Sequence, residues 1–467
     1  MTRVLSVASE CAPLVKTGGL ADVAGALPGA LAPLGVHIRT LLPGYPAVMA
    51  KLDGAREVLR DGDLFGGPGR VLAASHAGLD LLVLDAPHLF DREGSIYLGP
   101  NGSDWPDNPA RYAALCWVAA RIAGEGLDGW HPEVLHCHDW QAGFAPVYLR
   151  DRWPDAEAGA VITIHNVAFQ GLAAADRLSA LRLPPSGMQP DGFEYWGRIS
   201  ALKAGLVWSD RITTVSPTYA DELLTPEFGT GLDGVLRAHA EKLTGILNGV
   251  DLEEWTPPYR SLEGKAGPKA ELQRELGLGR ADGPLCVVVS RLTEQKGMDL
   301  LLEALPHLLA GGGQLALLGS GEPALEDGLR HAARDPNVAV RIGYDEGLAR
   351  RLITGGDAIL VPSRFEPCGL TQLYGLRFGT LPVVTLTGGL ADTVIPATPA
   401  GLWAGVATGL QVHPIEPGAL ARAFDRLCAL WREPETWAQM ARNAMRHPVG
   451  WDRSAAEYAA LYREVAG

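Results

Sequence analysis

Arg291 and Lys296 stand five residues apart in Ser290-Arg291-Leu292-Thr293-Glu294-Gln295-Lys296-Gly297, directly after the apolar run 286–289. If the loop folds back, both cations reach one diphosphate, the arginine as a planar fork and the lysine as a point charge. Taken alone, the same residues also suit a solvated loop. A second stretch follows the apolar run 358–361 and reads Arg364-Phe365-Glu366-Pro367-Cys368-Gly369-Leu370-Thr371. Here a glycine opens a helix, so the N–H groups from Gly369 to Thr371 would point at an anion, while Glu366 could accept hydrogen bonds from sugar hydroxyls. The plainer alternative is a helix start whose glutamate only complements the helix dipole.

A third stretch, Lys16-Thr17-Gly18-Gly19-Leu20-Ala21-Asp22-Val23, reads as a strand, a tight turn and a helix start, again open to a negative group. It returns in shortened form as Thr387-Gly388-Gly389-Leu390-Ala391-Asp392, without the lysine. The echo predicts two halves alike in architecture and different in duty, with anion-friendly loops on both. His136-Cys137-His138-Asp139 puts two histidines on one side of a strand. No second cluster offers further ligands, so a structural zinc is not expected. One structural histidine and a cleft position for Asp139 fit better. Asp61-Gly62-Asp63 lies in a Gly-rich stretch without a phosphate motif and reads as a surface turn rather than a metal site.

The elements that must position these groups alternate. Short apolar runs at 4–8, 36–42, 79–84, 134–137, 161–164 and 212–215 read as strands of a first half. Runs at 286–289, 314–318, 338–342, 358–361 and 381–385 read as strands of a second, separated by helical patterns such as 300–309 and 370–378. Such alternation implies parallel sheets covered on both faces, with ligands bound beyond the carboxyl ends of the strands. Pro28 should kink or interrupt the first helix. The pattern breaks near Asn248-Gly249-Val250-Asp251, where a hinge is placed. Residues 451–465 read as a final helix capped by Asp452 or Ser454.

The chain has 467 residues, enough for two or three domains, and a formal charge of −14, which argues against nucleic acid or an anionic membrane as main partner. Six scattered cysteines without C-x-x-C spacing suit a reducing compartment. Residues 4–8 are too short for a signal-peptide core, and no apolar run has membrane-spanning length, so a cytoplasmic location is expected.

Together these motifs resemble the bacterial glycogen synthase and starch synthase family. The resemblance rests on residues 16–23, His138-Asp139-Trp140, Thr163-Ile164-His165-Asn166, the Arg291 to Gly297 loop and residues 366–370. It continues through 104–108, 212–219, 248–251 and 387–393, in family order over essentially the whole chain. Gly450 stands where a serine is usual, and Leu410 where a phenylalanine is.

The resemblance implies a GT-B glycosyltransferase fold: two doubly wound Rossmann-like domains facing across a cleft. They would span 1–247 (acceptor side) and 248–449 (nucleotide-sugar side), with helix 450–467 crossing back. It implies retaining transfer of glucose from ADP-glucose to the non-reducing end of an α-1,4-glucan such as glycogen, with no cofactor and no catalytic metal. Carried over by position, Arg291 and Lys296 would hold the diphosphate, Glu366 the donor glucose, and His165 the transferred sugar. Lys16, Gly18, Gly19, Asp139, Asn166, Asn248, Cys368, Gly369, Leu370 and Thr371 would line the donor site. Tyr374 would contact the nucleoside and Tyr97 the acceptor side or cleft. One carboxylate among cations suits transfer from an activated donor, since hydrolytic enzymes flank the bond with two carboxylates. The competing readings are a GT-B enzyme with another nucleotide sugar, a phosphorylase needing pyridoxal phosphate, or a non-catalytic glucan- or nucleotide-binding scaffold.

Overall fold

The computed structural model describes residues 1–467 and divides into two compact units, Met1–Asn248 with Trp451–Gly467, and Gly249–Gly450.

The first unit is built on a nine-stranded sheet. Its strands are β1 (Thr2–Val7), β2 (Val36–Pro43), β3 (Arg56–Asp61), β4 (Gly69–His76), β5 (Leu79–Asp85), β6 (Val134–His138) and β7 (Gly159–Ile164), completed by β11 (Arg211–Thr214) and β12 (Leu243–Gly245). A small antiparallel sheet holds β8 (Leu172–Ala174), β9 (Glu194–Tyr195) and β10 (Arg198–Ser200). The large sheet runs β12-β11-β7-β6-β1-β2-β5-β4-β3. It is parallel except at the β3-β4-β5 edge. Val4, Leu5 and Val7 of β1 have no exposed surface, as a strand covered on both faces requires.

The helix Gly19–Leu31 carries Pro28 in its last turn without a break, then passes through a short turn to Gly35 at φ 77°. Pro28 has no N–H to donate to Ala24 O, so one intrahelical bond is lost as expected, although the helix itself continues to Leu31. The last helix, Asp452–Ala466, belongs to this unit. Its Ala455, Tyr458, Ala459 and Tyr462 pack with Val4, Val23 and Val134. Neither expected residue caps it. Trp451 holds the cap position without a side-chain bond, Asp452 lies in the first turn beside the helix dipole, and Ser454 is buried.

The second unit has six parallel strands: β13 (Leu285–Val289), β14 (Gln314–Gly319), β15 (Val338–Ile342), β16 (Ala358–Val361), β17 (Leu381–Thr385) and β18 (Leu410–Val412). They run β15-β14-β13-β16-β17-β18, which counted from β13 is the doubly wound order 3-2-1-4-5-6. Leu301, Leu305 and Leu308 of the helix Met298–Ala310 meet Phe424 and Leu427 of Pro417–Trp431 in its core. Leu410 is buried in the same cluster, so its exchange for the usual phenylalanine is a packing difference. No helix is long and apolar enough to cross a membrane.

Candidate active site

In the second unit the strand order reverses between the neighbours β13 and β16. At such a point the loops leave in opposite directions and open a crevice beyond the strand ends. The loop after β13 carries Arg291 and Lys296, and the loop after β16 carries Glu366 and Gly369. A cavity of about 190 Å³ is lined by Arg291, Lys296, Glu366, Gly369, Leu370 and Thr371 among others. The Lys296 ammonium donates to Glu366 Oε2 at 2.6 Å, and the Ser363 hydroxyl donates to the same oxygen at 2.9 Å. Arg291 is exposed at the cavity wall.

The two loops are tied together below this surface. Arg364 forms a bidentate pair with Asp299 at 2.7 and 2.6 Å, which holds the Asp299 carboxyl below its usual range. The Arg364 N–H donates to Gln295 O at 2.8 Å. Gly297 sits at φ 69°, and a Cβ there would lie 1.9 Å from Pro362 O. Only glycine lets the lysine loop come this close to the strand beside it.

Cys368 is buried and Tyr374 stacks on Trp255, with ring centroids 3.6 Å apart and planes 13° apart. Neither lines the cavity. Gln372, which sequence reasoning missed, donates to Cys368 O at 3.0 Å and Gly369 O at 2.9 Å and so fixes the turn, with Gly369 at φ 71°. Its only sequence signal is a polar residue on the face a short helix buries.

The second Thr-Gly-Gly copy corrects the expectation of two ligand-facing loops. A Cβ on Gly388 would lie 2.1 Å from Glu366 O, and one on Gly389 would lie 2.3 Å from Cys368 O. The Gly389 N–H donates inward to Pro367 O at 3.1 Å. These glycines let the backbone back the Glu366 loop. At Gly18 and Gly19 a Cβ would meet nothing within 4 Å.

The first unit repeats the topology, its order reversing between β1 and β6. After β1, the buried Glu10 carboxylate accepts the Thr17 hydroxyl at 2.9 Å, the Gly18 N–H at 3.2 Å, the Tyr97 hydroxyl at 3.1 Å and the Thr17 N–H. Burial raises its pKa, against the pull of those bonds. Glu10 is thus the negative group beside the first turn of Gly19–Leu31. Only the polar end of the first apolar run hints at it in the sequence. Lys16 pairs with Asp22 at 2.7 Å and is half exposed.

After β6, Asp139 takes φ 54°. Its Oδ1 accepts the N–H groups of His165 at 2.6 Å and Asn166 at 3.3 Å. Burial raises its pKa to about 7, those two bonds oppose the rise, and the Glu10 carboxylate adds to it. Asp139 therefore shapes the turn that follows β7. Asn166 closes that turn, its side chain accepting the Ala168 N–H at 3.0 Å. His138 Nδ1 lies 3.0 Å from His165 Nε2, and His138 Nε2 lies 3.1 Å from the Ser6 hydroxyl. Burial pushes the His138 pKa down to about 3 and that of His165 well below the usual value, which favours the neutral form of both rings.

His136 and His138 do share a side, ring centroids 4.2 Å apart. The His136 nitrogens face Tyr462 OH at 2.7 Å and Thr163 Oγ1 at 2.6 Å, so the pair is built into a hydrogen-bond chain rather than left for a zinc ion. Asn248 is buried with its Oδ1 unpartnered. The Asp61-Gly62-Asp63 stretch is a turn, the Asp63 N–H donating to Asp61 Oδ1 at 3.0 Å.

Two Rossmann-like units in one chain, each with polar loops at its switch point, are the architecture of the GT-B glycosyltransferase fold. The family model described as the starch synthase catalytic domain matches residues 3–238, and the one described as glycosyl transferases group 1 matches 283–429. The chain is 64% identical to the glycogen synthase of Paracoccus denitrificans (strain Pd 1222) over 470 residues, covering 100% of both, and 60% identical to that of Jannaschia sp. (strain CCS1) over 474 residues, again covering 100% of both. The catalytic domain of starch synthase IV from Arabidopsis thaliana, solved with ADP and acarbose, superposes with a TM-score of 0.89 at 29% identity, covering 100% of this chain and 99% of that one. Sucrose-phosphate synthase from Thermosynechococcus elongatus shares the fold, with a TM-score of 0.62 at 20% identity and 99% of each chain covered. The chain belongs to the bacterial glycogen synthase family.

Proposed function

We propose that the protein transfers glucose from ADP-glucose to the non-reducing end of an α-1,4-glucan, with retention, and releases ADP. The observation that carries this reading is the single cavity at the β13/β16 switch point, where Arg291, Lys296, Glu366 and the Gly369–Thr371 turn converge. As the bond between glucose C1 and the diphosphate oxygen breaks, negative charge grows on the phosphate. Fixed cations at that place stabilise the transition state more than the ground state. The acceptor 4-hydroxyl forms the new bond to C1, and its proton leaves with the departing phosphate oxygen.

Within that reaction Arg291 and Lys296 hold the diphosphate. Glu366 accepts hydrogen bonds from the donor glucose, and His165 contacts the transferred sugar through the ring nitrogen not paired with His138. Lys16 and the open Gly18-Gly19 backbone are further donor-binding groups. The name glycogen synthase on relatives at 60–64% identity supports the glucan acceptor, and the ADP bound to the starch synthase domain supports the nucleotide. The test is incorporation of labelled glucose into glycogen from ADP-glucose, run against UDP-glucose. Strong incorporation from ADP-glucose is expected. Turnover only with another nucleotide sugar would remove the donor assignment.

A further inference from the structure

A second concavity in the Gly249–Gly450 unit shares no residue with the donor cavity. It encloses about 390 Å³, within the roughly 300–1,000 Å³ of small-ligand sites. At its rim stands Trp403, 86% exposed, with Val406 beside it at 45%. An indole this bare gives up the burial that tryptophan usually finds. The segment carrying it is nevertheless rigidly placed. The Thr398 side chain caps the turn by accepting the Gly401 N–H at 3.1 Å. Asn443 donates to Gly405 O at 2.7 Å and Ala407 O at 3.0 Å, and Arg426 holds Ala397 O.

The opposite wall is one face of the helix Pro434–Arg446 and its N-terminal lead, with Glu433, Thr436 and Gln439. Thr436 donates to Glu433 at 3.0 Å, and Gln439 donates to Asn443 at 2.8 Å, so their remaining acceptor and donor positions are fixed in direction. The only charged residue of the lining is Glu433, and no cation is present. Phosphates and other anions are therefore disfavoured. A flat aromatic face beside a carboxylate, a hydroxyl and an amide matches a neutral polyhydroxylated ring, whose C–H face stacks on the indole while its hydroxyls meet the polar wall.

We propose that this concavity is a second, non-catalytic carbohydrate site, with Trp403 as its stacking platform, that holds an α-glucan chain away from the donor cavity. The glucan as ligand rests on the proposed function; the aromatic-and-polar site rests on the geometry. A pre-formed platform loses little freedom on binding, and a polymer held at two places stays near the enzyme through multivalency.

The experiment compares the full-length protein with Trp403→Ala and Trp403→Phe, after melting temperatures show all three folded. Migration is followed in native gels containing glycogen, and kinetics are measured with ADP-glucose and either glycogen or maltotriose. Trp403→Ala should lose at least threefold of the glycogen retardation and raise KM for glycogen several-fold. Its turnover on maltotriose should stay within twofold of the parent, and Trp403→Phe should recover part of the retardation. Equal retardation and equal KM in the parent and Trp403→Ala would overturn the site. Should the parent fail to use ADP-glucose while Trp403→Ala still loses retardation, the reaction assignment falls and the site stands.

Discussion

Lys296 Nζ lies 2.6 Å from Glu366 Oε2, joining two loops whose pairing residues are 70 apart in the chain. The pair is the meeting point of the two strand ends that flank the switch point. Each charge neutralises the other. Under the proposed function a donor diphosphate would compete with Glu366 for the ammonium and free the carboxylate for sugar hydroxyls, so this contact would link the phosphate and sugar ends of one donor.

Removing either cation should cost turnover more than folding. Lys296→Ala or Arg291→Ala is expected to lower kcat about a hundredfold or more, the scale for losing one charge-stabilising donor. Arg291 is exposed, so its loss should barely move the melting temperature. Steady-state rates with ADP-glucose and glycogen check this, and near-normal activity in both variants would remove the diphosphate assignment.

Glu366→Ala separates chemistry from stability at the other end of the pair. Its carboxylate bonds only Lys296 and Ser363 among the side chains, so unfolding free energy should fall by about 1.5–3 kcal/mol, the worth of a hydrogen bond to a charged group. Turnover is expected to fall about a hundredfold. Urea unfolding and initial rates on the same preparation compare the two. A loss of activity that merely tracked a loss of folded protein would contradict a donor-binding role.

The two Thr-Gly-Gly copies should respond oppositely to the same substitution. A methyl at Gly389 would meet Cys368 O at 2.3 Å, so Gly389→Ala must displace the Glu366 loop and should destabilise by about 1–3 kcal/mol. Gly18 is extended at φ −157° with nothing within 4 Å of a Cβ, so Gly18→Ala should change stability by less than about 0.5 kcal/mol. If the Gly18 backbone approaches the donor, the same change raises KM for ADP-glucose. Denaturation and kinetics of both variants decide, and equal destabilisation would refute the division of duty.

That division was hidden in the sequence because the local residues are nearly the same. What differs is the backbone each copy packs against, and for Gly388 and Gly389 that is residues 366–368, brought near by β16 lying beside β17. The strands at the second unit's switch point were legible because burial on both faces leaves unbroken apolar runs, as in 286–289 and 358–361. The polar edge strand Arg56–Asp61 has no such run and was not expected. The cavity groups Arg291, Lys296 and Glu366 were legible because each lies in the loop that follows such a run. Glu10 was not, since no spacing rule tells a carboxylate to receive the N–H groups of a turn beginning seven residues later. The stacking of Tyr374 on Trp255 was not legible either, since the two rings are far apart in the chain.

Glu10→Ala tests the clamp beneath the Lys16 loop. The substitution strips the Thr17 and Gly18 N–H groups and the Tyr97 hydroxyl of their shared acceptor. Leaving such groups unsatisfied costs about 1–3 kcal/mol where water cannot replace the partner. Thr17 is exposed, so the lower end is expected. If Lys16 binds the donor as proposed, the kinetic signature is a fall in kcat/KM for ADP-glucose beyond the stability change, because the loop carrying Lys16 loses its anchor. Unchanged kinetics would make Glu10 a purely structural acceptor.

Asp139 gives the structure a pH dependence of definite sign. Its carboxyl titrates near 3.8 in an ordinary environment and at about 7 in the folded protein. Between those values the native state binds a proton that the unfolded chain has released. Stability therefore falls as pH rises from about 4 to about 7, and the penalty persists above that. Asp139→Asn keeps an oxygen to accept the His165 and Asn166 N–H groups but cannot ionise. The melting temperature of the variant relative to the parent should therefore be higher at pH 8 than at pH 5. A difference that stayed flat across that range would show that Asp139 is ionised in the folded protein throughout, and that the turn carrying His165 is held by a charged rather than a neutral carboxyl.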